Sequence, residues 1–200
     1  MGAVAPGLMA TVHFITHPEV AIDPAVPVPH WKLSAAGIQR GCLMLARPWV
    51  SGVRAVFSSS ERKATDLAGM MADHLGLSPI VVAELGENDR SATGYLPKVE
   101  FETVADAFFA RPDESERGWE RAADAQRRIV RAVACVVAMA PSDGDVAIVS
   151  HGGVGALLLC HLKAVPISRA EDQPGGGGGN VYRFDAATRE LVSGWRRIED

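Results

Sequence analysis

Short apolar runs alternate along the chain with longer stretches in which apolar positions recur every three or four residues. The first run, Thr11-Val12-His13-Phe14-Ile15-Thr16, is rich in β-branched residues and stops at Pro18, which predicts a buried strand. A proline-rich loop over 23–30 follows, and Ser34 is placed to cap a helix over 35–46. A second strand over 54–57 leads through Ser58-Ser59-Ser60 into a helix that Ser60 can cap and that runs to about Leu75, with Gly76 as its stop. Residues 80–83 predict a third short strand. The polar, turn-rich stretch 84–97 predicts a functional loop.

Two helices come next, one around 102–110 and a long one over 115–140. In the long one Trp119, Ala122, Ile129, Val133 and Val136 recur near the 3.6 period with charges between them. Residues 145–149 are the clearest strand, and His151-Gly152-Gly153 turns from it into an apolar helix over 154–162. The five glycines at 175–179 predict a flexible loop. No Lys-Ser/Thr follows them, so they are not a phosphate-binding P-loop. Residues 181–184 and 190–195 read as a closing hairpin. Strands alternating with helices predict an α/β fold with a largely parallel sheet, and no internal repeat is visible.

Composition narrows the function classes. Two hundred residues suffice for one domain with a sizeable core and are few for two, so the whole chain, 1–200, reads as one domain. The 48% hydrophobic and 22% charged content is globular. The net charge of −4, with only Arg127-Arg128 and Arg196-Arg197 as adjacent arginines, lacks the basic stripe of a nucleic-acid binder. Cys42, Cys135 and Cys160 are odd in number and lack C-x-x-C spacing, against a disulfide framework or a zinc site. All three sit among apolar residues and read as small buried hydrophobes in a reducing compartment. Residues 1–10 carry no positive charge and make a poor signal peptide. The longest apolar stretch, 129–140, is interrupted by Arg131 and falls short of the ~20 residues of a membrane helix. The expectation is a cytoplasmic protein without membrane or nucleic-acid partners, with self-association left open.

Two histidines share one local setting. His17 follows the first strand and His151 follows the strand over 145–149. Ligands of open α/β sheets bind beyond the carboxyl ends of strands, so both stand where a site belongs. Gly152-Gly153 at a helix start offers unpaired N–H groups and the positive end of the helix dipole, a ready anion site. A dinucleotide fingerprint fails there, because Leu158 stands where its third glycine is needed. His13 and His17 lie four apart on one strand face, but no carboxylate cluster accompanies them as a metal site requires, and His13 reads as packed between strands. His30, His74 and His161 read as surface or helix-packing residues.

Five segments in order carry a resemblance that spans residues 11 to 195. They are Thr16-His17-Pro18-Glu19, Leu33-Ser34-x-x-Gly37, Ser58-Ser59-Ser60-Glu61-Arg62-Lys63-Ala64, Leu85-Gly86-Glu87 and Ser150-His151-Gly152-Gly153. The chain resembles the histidine phosphatase (phosphoglycerate-mutase-like) superfamily. That family has Arg-His-Gly after its first strand, a serine-rich strand end leading into a basic helix start, a Leu-x-Glu loop and a later Ser-His-Gly. The resemblance implies a single-domain three-layer sandwich with helices on both faces of the sheet. It implies His17 as the nucleophile that becomes phosphorylated, His151 as a donor to the phosphoryl group, and Glu87 as the general acid. Lys63 falls on the family's second arginine, with Arg62 beside it to share the role, and Gly152 offers backbone N–H. The family's first arginine is Thr16 here, and the motif glycine is Pro18. The pocket then has one cation fewer; Arg90, Arg40 or a group on the substrate is the candidate to compensate, and of the two arginines Arg40 reads more readily as a helix-surface residue.

The activity this implies is a phosphatase that needs no metal or cofactor and hydrolyses a small-molecule or protein-borne phosphomonoester through a phosphohistidine. Two other readings fit the same residues. One is a non-catalytic member that binds a phosphorylated ligand or protein. The other, ranked third, is a phosphoglycerate-type mutase, for which the stretch after Glu87 leaves little room.

Overall fold

In the computed structural model, which describes residues 10–175 and 177–200, six strands form one sheet. They are β1 (Thr11–Thr16), β2 (Val53–Ser58), β3 (Ile80–Val81), β4 (Asp145–Ser150), β5 (Asn180–Asp185) and β6 (Leu191–Arg197), in the order β3-β2-β4-β1-β5-β6. The pairs β3–β2, β2–β4 and β4–β1 are parallel, whereas β5 returns antiparallel to β1 and β6 antiparallel to β5. Five helices cover the sheet: α1 (Ala35–Leu45), α2 (Arg62–Leu75), α3 (Lys98–Ala110), α4 (Ala122–Met139) and α5 (Gly152–Leu162). The expected α/β sandwich with a mostly parallel sheet is therefore present.

The pleat explains the two cores. Val146 and Ile148 of β4, with Val12 and Phe14 of β1, point to the face packed by α3, α4 and α5. Their neighbours Ala147, Val149 and Ile15 point to the other face, against Met44 of α1 and Leu67 and Met71 of α2. Central parallel strands are buried on both faces, which is why β1 and β4 read as nearly unbroken apolar runs. His13 lies in this sheet, stacked on Trp49 at 4.5 Å and 3.1 Å from Asp145 through Nε2. His30, His74 and His161 are exposed.

Several sequence expectations need correction. Ser60 does not cap α2; the helix begins at Arg62 after Glu61, and the Ser59 hydroxyl instead accepts the Glu61 N–H. Gly76 does end α2, in the left-handed conformation (φ 67°). Ser34 caps α1 as expected, accepting from the Gly37 N–H. The helix placed at 102–110 starts earlier, at Lys98, directly after Pro97. The long helix starts later, at Ala122, because Arg117 (φ 50°) and Gly118 (φ 83°) take left-handed conformations that break a helical path. Trp119 is buried all the same. Cys42 and Cys135 are exposed and only Cys160 is buried. Gly41 and Met44 face inward from α1, and Ala132, Val133 and Val136 from α4, so the two cysteines fall on the outward faces.

Among the described residues no helix is long and apolar enough to cross a membrane. The signal-peptide expectation for 1–10 concerns residues that, up to residue 9, lie outside the description, as does Gly176 within the glycine loop.

Candidate phosphoryl-transfer site

The carboxyl ends of β1, β2 and β4 lie side by side, and β1 and β2 each continue their hydrogen bonding to β4 one residue further. His17 N–H donates to Ser150 O at 3.2 Å, and Ser59 N–H to Val149 O at 3.1 Å. His17 is thus fixed by its backbone. Its carbonyl also accepts the Gly179 N–H, and a Cβ on Gly178 (φ 74°) would stand 2.3 Å from that oxygen, so only glycine fits there. The His17 Nδ1 lies 2.9 Å from Pro18 O. A carbonyl only accepts, so Nδ1 carries the proton and Nε2 keeps its lone pair. Burial pushes the His17 pKa down to about 3, and His151 and Lys63 push the same way. At neutral pH the ring is uncharged.

The His151 ring stands edge-on to it, with centroids 5.2 Å apart. His151 Nε2 is 2.7 Å from Ser59 Oγ and 3.3 Å from Glu61 Oε1. Its Nδ1 is buried without a protein partner. Burial lowers the His151 pKa, against the upward pull of Glu61 and Glu87.

Glu61 organises the cationic side of the pocket. Its Oε2 is 2.5 Å from Lys63 Nζ, and its Oε1 also accepts the Glu87 N–H at 3.0 Å. Lys63 Nζ donates a second bond to Val28 O at 2.9 Å. Burial would raise the Glu61 pKa, but His151 and Lys63 outweigh it and hold the carboxyl at about 2.

Glu87 sits at the N-terminus of α5. The Gly153 N–H donates to one carboxylate oxygen at 3.1 Å and the Val154 N–H to the other at 3.0 Å. His151 precedes this helix without a side-chain cap of its own, so Glu87 does the capping. Burial raises the Glu87 pKa; Arg90, His151 and the Gly153 N–H more than offset it, and the net direction is down. Arg90 reaches Glu87 at 3.6 Å while its guanidinium lies over the rings of Phe101 and Trp119, at 5.2 and 5.4 Å. Arg128 holds the same turn from outside, donating to the carbonyls of Glu84, Gly86 and Glu87.

His17, Lys63, Glu87, Arg90 and His151 therefore gather in one cluster, with Gly152 next to His151 in the chain. Arg62 does not. It is 62% exposed and paired with Asp66 at 2.6 Å, because α2 turns its side chain outward while Lys63 points in. Thr16 is buried with its hydroxyl spent on Gln173 and Asn180, so it is no direct phosphate ligand. Arg40 is not a helix-surface residue either. At 12% exposure it binds Glu19, Glu199 and the carbonyls of Gly178 and Gly179, clamping the loop behind His17.

Sequence reasoning assigned no role to Glu61, Ser59, Asn88, Gln173 or Asn180. The first two lay inside the quoted serine-rich segment, where an acidic residue beside a basic helix start was a usable signal. Asn88 is buried next to Glu87 with its Nδ2 unpartnered. Among the described residues, no group of three or more His, Cys, Asp or Glu is arranged to hold a metal ion.

The family model of the histidine phosphatase superfamily (branch 1) matches residues 29–192. The match begins after β1, so the variant Thr16-His17-Pro18 lies outside it. No curated protein matches the chain by sequence. Among solved structures, the mycobacterial glucosyl-3-phosphoglycerate phosphatase is 20% identical, with 94% of this chain and 96% of that one covered at a TM-score of 0.74. Its complex with inorganic phosphate gives 20%, 96%, 99% and 0.73. YhfR of Bacillus stearothermophilus gives 21%, 92%, 95% and 0.75. At such identities the likeness speaks for the fold, while the family match spans most of the sequence. This chain belongs to branch 1 of the histidine phosphatase superfamily.

Proposed function

We propose that the protein is a phosphatase that hydrolyses a phosphomonoester, with His17 as nucleophile. The observation that carries this reading is the state of the His17 ring: uncharged, tied through Nδ1 to Pro18 O, with Nε2 free to attack and His151 beside it. Nε2 attacks phosphorus, the bond from phosphorus to the ester oxygen breaks, and that oxygen takes a proton from Glu87. Water then attacks the phosphohistidine, gives its proton back to Glu87, and phosphate leaves with His17 restored. Lys63, Arg90 and the N–H groups at the start of α5 stabilise the equatorial oxygens.

Glu87 is a carboxylate before ligand binds, since its pKa is lowered. An arriving phosphoryl dianion adds a like charge and competes for the same N–H groups, which raises that pKa and draws in the proton the first step needs. The same dianion favours a protonated His151, which then donates from Nδ1 while Nε2–H faces Glu61 and Ser59.

A screen of phosphomonoesters, including sugar phosphates, nucleotides and phosphorylated side chains, run with and without EDTA, tests the proposal. Turnover that survives EDTA supports it. A second reading, a non-catalytic binder of phosphorylated ligands, is favoured by the pairing of Lys63 with Glu61 at 2.5 Å, which spends the pocket's inner cation. Phosphate binding without turnover of any substrate would select it.

A further inference from the structure

Gln173 lies in the loop between α5 and β5, and its partners settle which way its side-chain amide points. Oε1 accepts the Thr16 hydroxyl at 2.6 Å and an Asn180 Nδ2–H at 3.0 Å. Thr16 and Asn180 are both buried. Two donors on the oxygen force Nε2 to the opposite side. There it stands against Gly152: a Cβ on residue 152 would be 2.2 Å from Nε2. A side chain at residue 152 would have to displace the Gln173 amide.

The Nε2 group makes no hydrogen bond among the described residues, and neither does the Gly152 N–H next to it. One residue earlier, His151 Nδ1 is buried without a partner. Thr16 and Ser150 are paired at the ends of neighbouring strands and His151 follows Ser150, so these unmet polar groups border the gap between the carboxyl ends of β1 and β4, where His17 stands. The buried His151 Nδ1 without a partner, with the half-buried Gln173 amide nitrogen and the Gly152 N–H beside it, marks the place of a ligand rich in acceptor oxygens.

We propose that Gln173 is a substrate-binding residue whose Nε2–H, together with the Gly152 N–H, donates to a phosphoryl oxygen. This rests on the phosphatase reading and adds to it a neutral, uncharged contact supplied from the loop after α5. Thr16 and Asn180 act through Gln173: they fix the amide so that nitrogen, not oxygen, meets the phosphoryl group. A phosphoryl oxygen facing the amide oxygen would be repelled, so the orientation itself has functional weight.

Titration of the wild-type protein with orthovanadate, observed on the side-chain amide nitrogen of Gln173 by NMR and by calorimetry, tests this. The Gln173 amide signal should move and saturate with the calorimetric curve. Gln173→Leu should weaken vanadate binding by about tenfold or more, the scale of one hydrogen bond to a charged group. Gln173→Glu keeps the size and replaces a donor by an anion, so it should weaken binding further; it also serves if the leucine variant does not fold. Thr16→Val, which frees the amide to turn, should weaken binding less but in the same direction. Unchanged vanadate affinity in either Gln173 variant, with a lowered melting temperature, would make Gln173 a scaffold residue and overturn this inference alone. A wild-type protein that binds no vanadate overturns the phosphatase reading, and this inference with it.

Discussion

Glu61 Oε1 stands 3.3 Å from His151 Nε2, which places an ionised carboxylate against the ring that faces the proposed nucleophile. The other oxygen of Glu61 holds Lys63. On the proposed function, a phosphoryl dianion would meet an inner cation, Lys63, already matched by an anion. Glu61→Gln keeps the size and removes the charge. It should tighten vanadate binding about fivefold, on the order of 1 kcal/mol for a partly screened charge. It should also lower kcat, because His151 loses the carboxylate that favours its protonated form. Calorimetry with steady-state kinetics reads both. Weaker binding in the variant would contradict this account of Glu61.

Glu87 is predicted to change its proton affinity between free and loaded protein. In the free site its pKa lies below the ordinary carboxylate value. In the complex the bound dianion raises it. A general acid works only while protonated, so kcat should fall as pH rises through the pKa of the complex. The corresponding limb of kcat/KM, which reports the free protein, should lie at lower pH. Glu87→Gln cannot donate the proton. It should cost roughly 10²-fold or more on alkyl phosphates and much less on an aryl phosphate with a good leaving group. Equal losses on both substrates would remove Glu87 from the acid role.

Acid sensitivity of the fold follows from the same burial. His17 has its pKa lowered to about 3 in the folded protein, against 6.5 ordinarily. Between these values the unfolded chain binds the proton and the folded one does not. Stability from His17 is therefore complete above about pH 6.5 and is lost as pH falls toward 3. His151 is lowered too and adds to the slope. His17→Asn, which can keep a donor near Pro18 O but cannot take up the proton, should flatten the fall in melting temperature between pH 7 and pH 4.5. An unchanged slope would mean that His17 titrates normally in the folded protein.

The central scaffold was legible because its pattern is local. β1 and β4 are buried on both faces and show nearly unbroken apolar runs, and the residues after them, His17 and His151, inherit their positions from the strand ends. Lys63 and Glu87 were found from motif order. Arg62 was misplaced because two adjacent helical residues point about 100° apart, and the sequence does not say which one faces in. Gln173 could not be found. Its meeting with Thr16 spans 157 positions and runs through an irregular loop with no period to read. Arg40 was missed for a related reason: its partners Glu19, Glu199 and the glycine loop come from distant parts of the chain. Glu61 stood in plain view, but its role depends on distances to His151 and Lys63 that only the folded chain supplies.

The most direct test of the whole account is whether His17 carries the phosphoryl group during turnover. Turnover of a phosphorus-labelled substrate is stopped by rapid mixing into base, which preserves phosphohistidine, and a parallel sample is stopped in acid, which destroys it. The base-quenched protein is then digested and mapped by mass. The account predicts label on the peptide that contains His17, loss of that label in the acid-quenched sample, and neither label nor turnover in His17→Ala. Turnover that persists in His17→Ala, or label on another residue, would contradict it.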